Sequence, residues 1–111
     1  MAKNSVIWSE NAMTERKNIF KYWNERIGSN LYSTKLLFAI RGRIKVIKEN
    51  PFAFKANEFQ DIRECAIGNY SIFYKVMENE IIVTSFWDNR QDPDKLLEIL
   101  EKILKQHKHA I

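Results

Sequence analysis

Two arginines at the ends of β-rich runs are the residues of this sequence best suited to bind phosphate or carboxylate groups. Arg63 lies in one run, and Arg90 follows another run just after Trp87. A guanidinium binds either anion through two parallel hydrogen bonds. Each arginine also has a simpler interpretation, since Arg90 could pair with Asp88 or Asp92 and Arg63 could form a cross-strand ion pair. The sequence leaves both interpretations open.

Other site chemistries have little support in the sequence. Cys65 lies in a strand-like run with no histidine near it, which favours a small buried side chain. His107 and His109 lie close to the last residue, and two ligands are too few for a zinc site. Neither a glycine-rich phosphate loop nor a serine nucleophile motif occurs. We therefore predict no metal site and no cofactor.

Positive charge is concentrated on one predicted helix. The net charge is +4, and residues 31–60 contain six Lys or Arg against two Glu. Arg41, Lys45 and Lys48 recur at spacings of four and three, so they form one stripe of a helix. A basic stripe suits an acidic partner, either nucleic acid or an acidic protein segment. The alternative is a solvated helix face.

Length and composition predict one soluble domain, residues 1–111. The chain has 111 residues, of which 45% are hydrophobic, and a single cysteine. One cysteine cannot form an internal disulfide, which fits a reducing compartment. No apolar run reaches the roughly 20 residues needed to cross a bilayer, and the first residues do not resemble a signal peptide. The expected location is the cytoplasm, without membrane association.

Two helices should position the basic stripe. Residues 10–27 place Met13, Phe20, Trp23 and Ile27 on one face, with Ser9 or Asn11 as the cap and Gly28 as the end. A second helix runs from about residue 31 to Glu49 and ends before Asn50-Pro51. Its predicted buried stripe is Leu37, Ile40, Ile44 and Ile47. Gly42, in mid-helix, indicates close packing at that point.

Three strands should follow, joined by tight turns. The runs 61–67, 70–77 and 80–87 are separated by Gly68-Asn69 and Glu78-Asn79, which favour hairpins. Residues 51–60 are expected to be irregular, and Asp92-Pro93 to open a C-terminal helix. With a first strand at residues 5–8, the fold class is α+β, in the order β-α-α-β-β-β-α. We expect a small four-stranded, mainly antiparallel sheet with a helical hairpin on one face.

The order of these motifs resembles the RelE/ParE superfamily, the toxins of bacterial type II toxin–antitoxin modules, also known as plasmid stabilisation proteins. The resemblance rests on five segments and covers nearly the whole chain. They are Val6-Ile7-Trp8-Ser9, Asn50-Pro51, Arg63-Glu64, Gly68-Asn69-Tyr70-x-Ile72-x-Tyr74 and Trp87-x-x-Arg90-x-Asp92-Pro93.

The RelE-like branch implies an endoribonuclease that cleaves messenger RNA on the ribosome without a metal. Its members use clustered Lys and Arg, often with a C-terminal Tyr or His, for proton transfer and charge stabilisation. Many of them carry an arginine where this sequence has Ser71. Here Arg63 and Arg90 are the candidate catalytic residues, and they offer mainly charge stabilisation.

The ParE-like branch implies a growth inhibitor that binds a cellular target such as DNA gyrase. It needs no acid–base residues, so we favour it, and we favour a binding protein over an enzyme. A third hypothesis is an inactive member that still binds its antitoxin. A cognate antitoxin should cover an exposed apolar and basic surface. The candidate residues for binding the antitoxin or the cellular target are Arg41, Lys45, Lys48, Phe73, Met77 and Trp87.

Overall fold

A five-stranded sheet with two helices makes up the part of the chain that the computed structural model describes, residues 5–56 and 61–90. The helices are α1 (Glu10–Ile27) and α2 (Leu31–Glu49). The strands are β1 (Ser5–Trp8), β2 (Lys55–Ala56), β3 (Ile62–Ile67), β4 (Tyr70–Val76) and β5 (Glu80–Asp88). The predicted α+β class is confirmed, whereas the predicted C-terminal helix lies outside the described residues.

The strand order across the sheet is β1-β5-β4-β3-β2. The three long strands form the predicted antiparallel meander, and Gly68 adopts a left-handed φ of 56° in its first turn. The first strand, β1, runs parallel to β5, with Ser5 opposite Glu80. The prediction of four strands was wrong by one, because Lys55 and Ala56 pair with Glu64 and Arg63. A two-residue strand exists only through its partner and has no alternating pattern of its own.

The predicted ends of both helices are confirmed. The side-chain oxygen of Ser9 accepts a hydrogen bond from the N–H of Ala12, which caps α1. Gly28 follows α1 with a φ of 78°, a conformation that costs glycine little. The second helix, α2, ends at Glu49, before the predicted Asn50-Pro51 stop. The two helices therefore form a hairpin with a connection of only a few residues.

The buried face of α1 differs from the predicted one. Met13 and Ile27 are 44% and 47% exposed, whereas Ala12 is fully buried. On α2, the predicted Ile40 and Ile47 are buried. Gly42 has no atom within 4 Å of where a Cβ would stand, so the expectation of close packing there was wrong.

Beyond the end of β1, the start of α1 covers the edge of β5. The hydroxyl of Ser9 donates to the carbonyl of Thr84 at 3.1 Å, and Asn11 donates to the same carbonyl at 3.4 Å. Backbone groups of β5 that β1 is too short to reach therefore bind side chains of α1. This satisfies polar groups that would otherwise be left without partners in a partly buried position.

The carboxylate of Glu15 continues this edge. Its Oε1 accepts from the Ser85 hydroxyl at 2.8 Å, from the Phe86 N–H at 3.2 Å and from the Asn11 amide at 2.8 Å. Burial nonetheless raises the pKa of Glu15, and the three hydrogen bonds only partly offset that effect. Glu15 thus joins α1 to β5, although burial disfavours the charged form of its carboxyl group.

Candidate functional site

The guanidinium of Arg90 is held at the end of β5 by the carboxylate two residues before it. Its Nε donates to Oδ1 of Asp88 at 2.9 Å, and its Nη2 donates to Oδ2 at 2.7 Å. The backbone N–H of Arg90 donates to the same Oδ1 at 3.0 Å. These bonds lower the pKa of Asp88 and raise that of Arg90. The simpler sequence interpretation, an ion pair with Asp88, is therefore confirmed.

Aromatic rings lie beneath this ion pair. The Arg90 guanidinium is 6.0 Å from the ring centroid of Trp23 and 5.9 Å from that of Tyr70. The indole N–H of Trp23 donates to the Tyr70 hydroxyl at 2.7 Å, and the Trp23 and Tyr32 rings lie 4.6 Å apart. Burial raises the pKa of Tyr70, so this phenol stays neutral near pH 7. The arrangement fixes a cation whose side chain remains 53% exposed.

Arg63 is bound into the loop that follows α2. Its Nη1 donates to the carbonyl of Phe54 at 2.8 Å and, more weakly, to that of Phe52 at 3.4 Å. Its guanidinium also lies 4.9 Å from the Phe52 ring. Among the described residues, carbonyl groups of the loop bind this side chain, and no cross-strand carboxylate forms an ion pair with it. Its contacts are those of a residue that holds the loop against the sheet.

Arg63 and Arg90 do not form one site. Arg63 is opposite Tyr74 in the sheet, whereas Arg90 lies two residues beyond Asp88, which is opposite Tyr70. Four residues along β4 correspond to about 13 Å at the rise of a β-strand. The two guanidinium groups also bind different partners, a loop carbonyl in the case of Arg63 and the Asp88 carboxylate in the case of Arg90.

Ser71 is buried in a small polar cluster on the sheet face opposite the helices. Its hydroxyl lies 3.0 Å from a carboxylate oxygen of Glu64 and 3.2 Å from the Asn89 Oδ1. The amide of Asn89 in turn donates to the Ser71 oxygen at 2.9 Å. The position where many superfamily members carry an arginine is thus occupied by a neutral hydroxyl beside a carboxylate.

The predicted basic stripe is exposed on α2. Arg41, Lys45 and Lys48 are all accessible, and the Arg41 guanidinium lies 5.9 Å from the ring centroid of Phe38. Arg16 on α1 adds a cation that sequence reasoning missed. It stacks on Trp8 at 4.4 Å from the ring centroid. The sequence alone does not reveal that Arg16 contacts Trp8, since this contact depends on how α1 packs on β1.

Two of the residues predicted to bind the antitoxin or the target are buried. Phe73 is 2% exposed and Trp87 is 4% exposed, whereas Met77 is half-buried. Phe73 belongs to the central strand β4, where Glu64 and Ser85 flank it in the neighbouring strands. The expectation of an open surface around Phe73 was therefore wrong, since almost none of this side chain is accessible.

Metal ligands do not cluster in the part of the chain that the structure describes. Within residues 5–56 and 61–90, no three His, Cys, Asp or Glu side chains could hold a metal ion together. The predicted tail histidines, His107 and His109, lie outside these ranges. The described helices also include none long and apolar enough to span a bilayer.

Comparison with known families decides between the superfamily branches. The sequence model of the ParE toxin of type II toxin–antitoxin systems, parDE, matches residues 6–93. The chain belongs to the ParE toxin family. None of the curated proteins compared matches this chain.

A solved structure has the same fold as this ParE family member. It is described as the chromosomal ParDE toxin–antitoxin system from P. aeruginosa, and the TM-score is 0.66 at 19% sequence identity. The match covers 78% of this chain and 96% of the other. At this identity the similarity concerns the fold, which agrees with the order of helices and strands described above.

Family membership confirms the ParE-like assignment made from the sequence motifs. It also identifies the partner class, since a toxin of this kind is paired with a cognate antitoxin. The candidate site of the ParE family member therefore consists of two surfaces. One is the fixed Arg90 at the end of the sheet, and the other is the basic surface of the helical hairpin around Arg41.

Proposed function

We propose that this ParE family member inhibits growth in the cytoplasm by binding DNA gyrase, without catalysing a reaction itself, and that its cognate antitoxin prevents this. The observation that carries the proposal is the surroundings of Ser71. A ribonuclease needs cations around the scissile phosphate, and here the hydroxyl lies 3.0 Å from the Glu64 carboxylate. Ser71 supplies neither the positive charge nor the acid–base group that cleavage of a phosphodiester would need at that position.

The two candidate catalytic arginines, Arg63 and Arg90, also argue against a ribonuclease. Cleavage of RNA by a metal-independent enzyme requires proton transfer and charge stabilisation at one place. Arg63 is occupied by loop carbonyls, and Arg90 lies at the other end of β4. The neutral Tyr70 next to Arg90 has a raised pKa, which makes it a poor general base near pH 7.

Arg90 is the residue that we assign to the target interface. Asp88 and the rings of Trp23 and Tyr70 hold its guanidinium in place, and half of the side chain is accessible. A cation fixed in this way loses little conformational freedom when a carboxylate of another protein binds it. We therefore place the gyrase contact at this end of the sheet and the antitoxin contact on the helical hairpin.

The test is a supercoiling assay with purified gyrase, relaxed plasmid and ATP. We expect the chain to inhibit supercoiling, and Arg90→Ala to weaken the inhibition about tenfold or more. Arg26→Ala is the matched control, since Arg26 is an exposed arginine in the last turn of α1. Circular dichroism of both variants establishes that they are folded.

Expression in bacteria separates the alternatives. Growth arrest with intact messenger RNA supports the proposal. New RNA 5′ ends at codon-phased positions would instead identify a ribosome-dependent endoribonuclease and refute it. Normal growth, together with binding to the antitoxin, would identify an inactive family member.

A further inference from the structure

Asp88 binds one edge of the Arg90 guanidinium and leaves another edge without a partner. Its two carboxylate oxygens accept from Nε at 2.9 Å and from Nη2 at 2.7 Å, which is a side-on, bidentate pair. A guanidinium has five N–H donors, and this pair uses two of them. Among the described residues, none accepts a hydrogen bond from Nη1. The end of the guanidinium formed by Nη1 and Nη2 therefore keeps donors for another anion.

Strand pairing fixes the backbone that carries Asp88. This residue is the last of β5 and lies opposite Tyr70 of β4. The next backbone N–H, that of Asn89, donates to the Asn69 carbonyl at 2.8 Å. The Asp88 side chain is only 16% accessible, whereas that of Arg90 is 53% accessible. An exposed guanidinium is thus bound to a carboxylate that has little freedom to move.

Two aromatic rings also limit the movement of this guanidinium. Its carbon atom lies 6.0 Å from the ring centroid of Trp23 and 5.9 Å from that of Tyr70, where cation–π attraction is still favourable. The rings are joined to each other by the hydrogen bond of 2.7 Å from the indole to the phenol. Asp88 and the two rings therefore hold Arg90 in one orientation.

We propose that Asp88 is a positioning residue of the gyrase interface, which presents Arg90 so that its Nη1 and Nη2 bind one Asp or Glu carboxylate of the target through two parallel hydrogen bonds. Asp88 stays bound while the target binds, because the two carboxylates occupy different edges of the same guanidinium. The inference rests on the proposed binding of gyrase and specifies how Arg90 takes part in it.

A protein carboxylate fits this site better than the phosphates of DNA. Asp88 balances the charge of Arg90, so the pair exerts little long-range attraction on a polyanion. Binding of a DNA backbone relies on several cations that neutralise successive phosphates. In the described part of the chain, no second Lys or Arg lies within ion-pair distance of Asp88. One planar fork instead matches the two oxygens of one carboxylate.

Removal of Asp88 distinguishes positioning from simple charge balance, because the two roles predict opposite signs. If Asp88 only reduced the positive charge at this end of the sheet, Asp88→Ala would bind the target more tightly. If Asp88 positions Arg90, the freed side chain must be ordered again on binding. We then expect Asp88→Ala to inhibit gyrase about fivefold more weakly than the wild type, from the entropy of one long side chain.

The test is the supercoiling assay with the wild type, Asp88→Ala, Arg90→Ala and the double variant. The double variant should inhibit as weakly as Arg90→Ala and no more weakly, because Asp88 acts only through Arg90. A merely structural role for Asp88 would instead add its own loss to that of Arg90→Ala. Glu78→Ala is the control, since it removes an exposed carboxylate before the other end of β5, and we expect less than about a twofold change.

An NMR measurement on the toxin alone reports the orientation of Arg90 without gyrase. An Nε–H that is hydrogen-bonded to a carboxylate exchanges slowly with water. The Arg90 Nε–H signal should therefore be observed near pH 7 in the wild type and be lost by exchange in Asp88→Ala. An Nε–H signal that is unchanged in Asp88→Ala would overturn the inference.

The other contradicting results have different consequences. If the wild type inhibits gyrase and Asp88→Ala inhibits it equally well or better, the role of Asp88 is wrong and the proposed function stands. If the wild type does not inhibit gyrase, both fall. A parallel titration with duplex DNA tests the other anion, since DNA binding that Arg90→Ala abolishes would identify phosphate as the ligand and overturn the inference.

Discussion

Replacing Glu15 tests how α1 is joined to the sheet. In Glu15→Ala, the donors from Asn11, Ser85 and Phe86 lose their common acceptor. Asn11 can turn to water, but Ser85 is fully buried and the Phe86 N–H belongs to a buried strand residue. At 1–3 kcal/mol for each buried unsatisfied group, we expect a loss of about 3 kcal/mol in the free energy of unfolding. For 111 residues this lowers the Tm by roughly 12 °C.

Glu15→Gln separates the hydrogen bonds from the charge. The amide oxygen of glutamine can accept the same three bonds, whereas the charge that burial disfavours is removed. We therefore expect Glu15→Gln to be at least as stable as the wild type at pH 7. The measurement is equilibrium unfolding in urea, monitored by circular dichroism, for the wild type and both variants.

The change of the free energy of unfolding with pH shows whether folding raises or lowers the pKa of Glu15. The folded-state pKa of Glu15 is raised above the ordinary value of 4.5, so its stabilising contribution is complete below pH 4.5. That contribution is lost as the pH rises through the raised folded-state value. Acidification from pH 7 should therefore stabilise the wild type relative to Glu15→Gln, and other groups cancel in the difference.

A difference curve of the opposite sign would refute this reasoning. If the wild type loses stability relative to Glu15→Gln on acidification, the three hydrogen bonds outweigh burial and the pKa of Glu15 is lowered. If Glu15→Ala unfolds with an unchanged midpoint, water satisfies the donors and α1 is joined to the sheet mainly through other contacts.

Three further substitutions test individual features. Gly42→Ala should raise the free energy of unfolding by about 1 kcal/mol in urea titrations, since this exposed helix position has open space for a methyl group. Tyr74→Phe should lower it by about 1–2 kcal/mol in the same assay, because the hydroxyl of this buried residue donates to the Pro51 carbonyl at 2.7 Å. Arg63→Ala should lower it by a similar amount by releasing the Phe54 carbonyl. Because Arg63 lies at the other end of β4 from Arg90, we expect the folded fraction of Arg63→Ala to retain full gyrase inhibition, and selective loss of inhibition would contradict the assigned interface.

Local signals predicted the elements well. Ser9, Gly28 and the Asn50-Pro51 pair each act on the backbone within a few residues, and the helix ends agree with them. The turn at Gly68 likewise depends on the conformational freedom of one residue. Such features can be recognised because their physical cause lies within a short stretch of sequence.

Features that depend on packing between elements were not predictable. Met13 and Ala12 are adjacent in α1, and only the way α1 lies against β5 decides that Ala12 is buried. The separation of Arg63 from Arg90 follows from strand register, and the contact of Arg16 with Trp8 follows from the packing of α1 on β1. A single sequence gives no direct measure of strand register or of the packing between elements.

The parallel pairing of β1 with β5 also sets the earliest point during synthesis at which the fold can be completed. Contacts of Ser5 and Ser9 with β5 and the turn before it join positions 74 and 75 residues apart. At 5–20 residues per second, β1 waits roughly 4–15 s for its partner strand to be made. Until β5 has been made, β1 has no strand to pair with and the start of α1 has no strand edge to cover. The edge of the sheet at β1 therefore forms only after β5 has been made, when most of the chain has been synthesised.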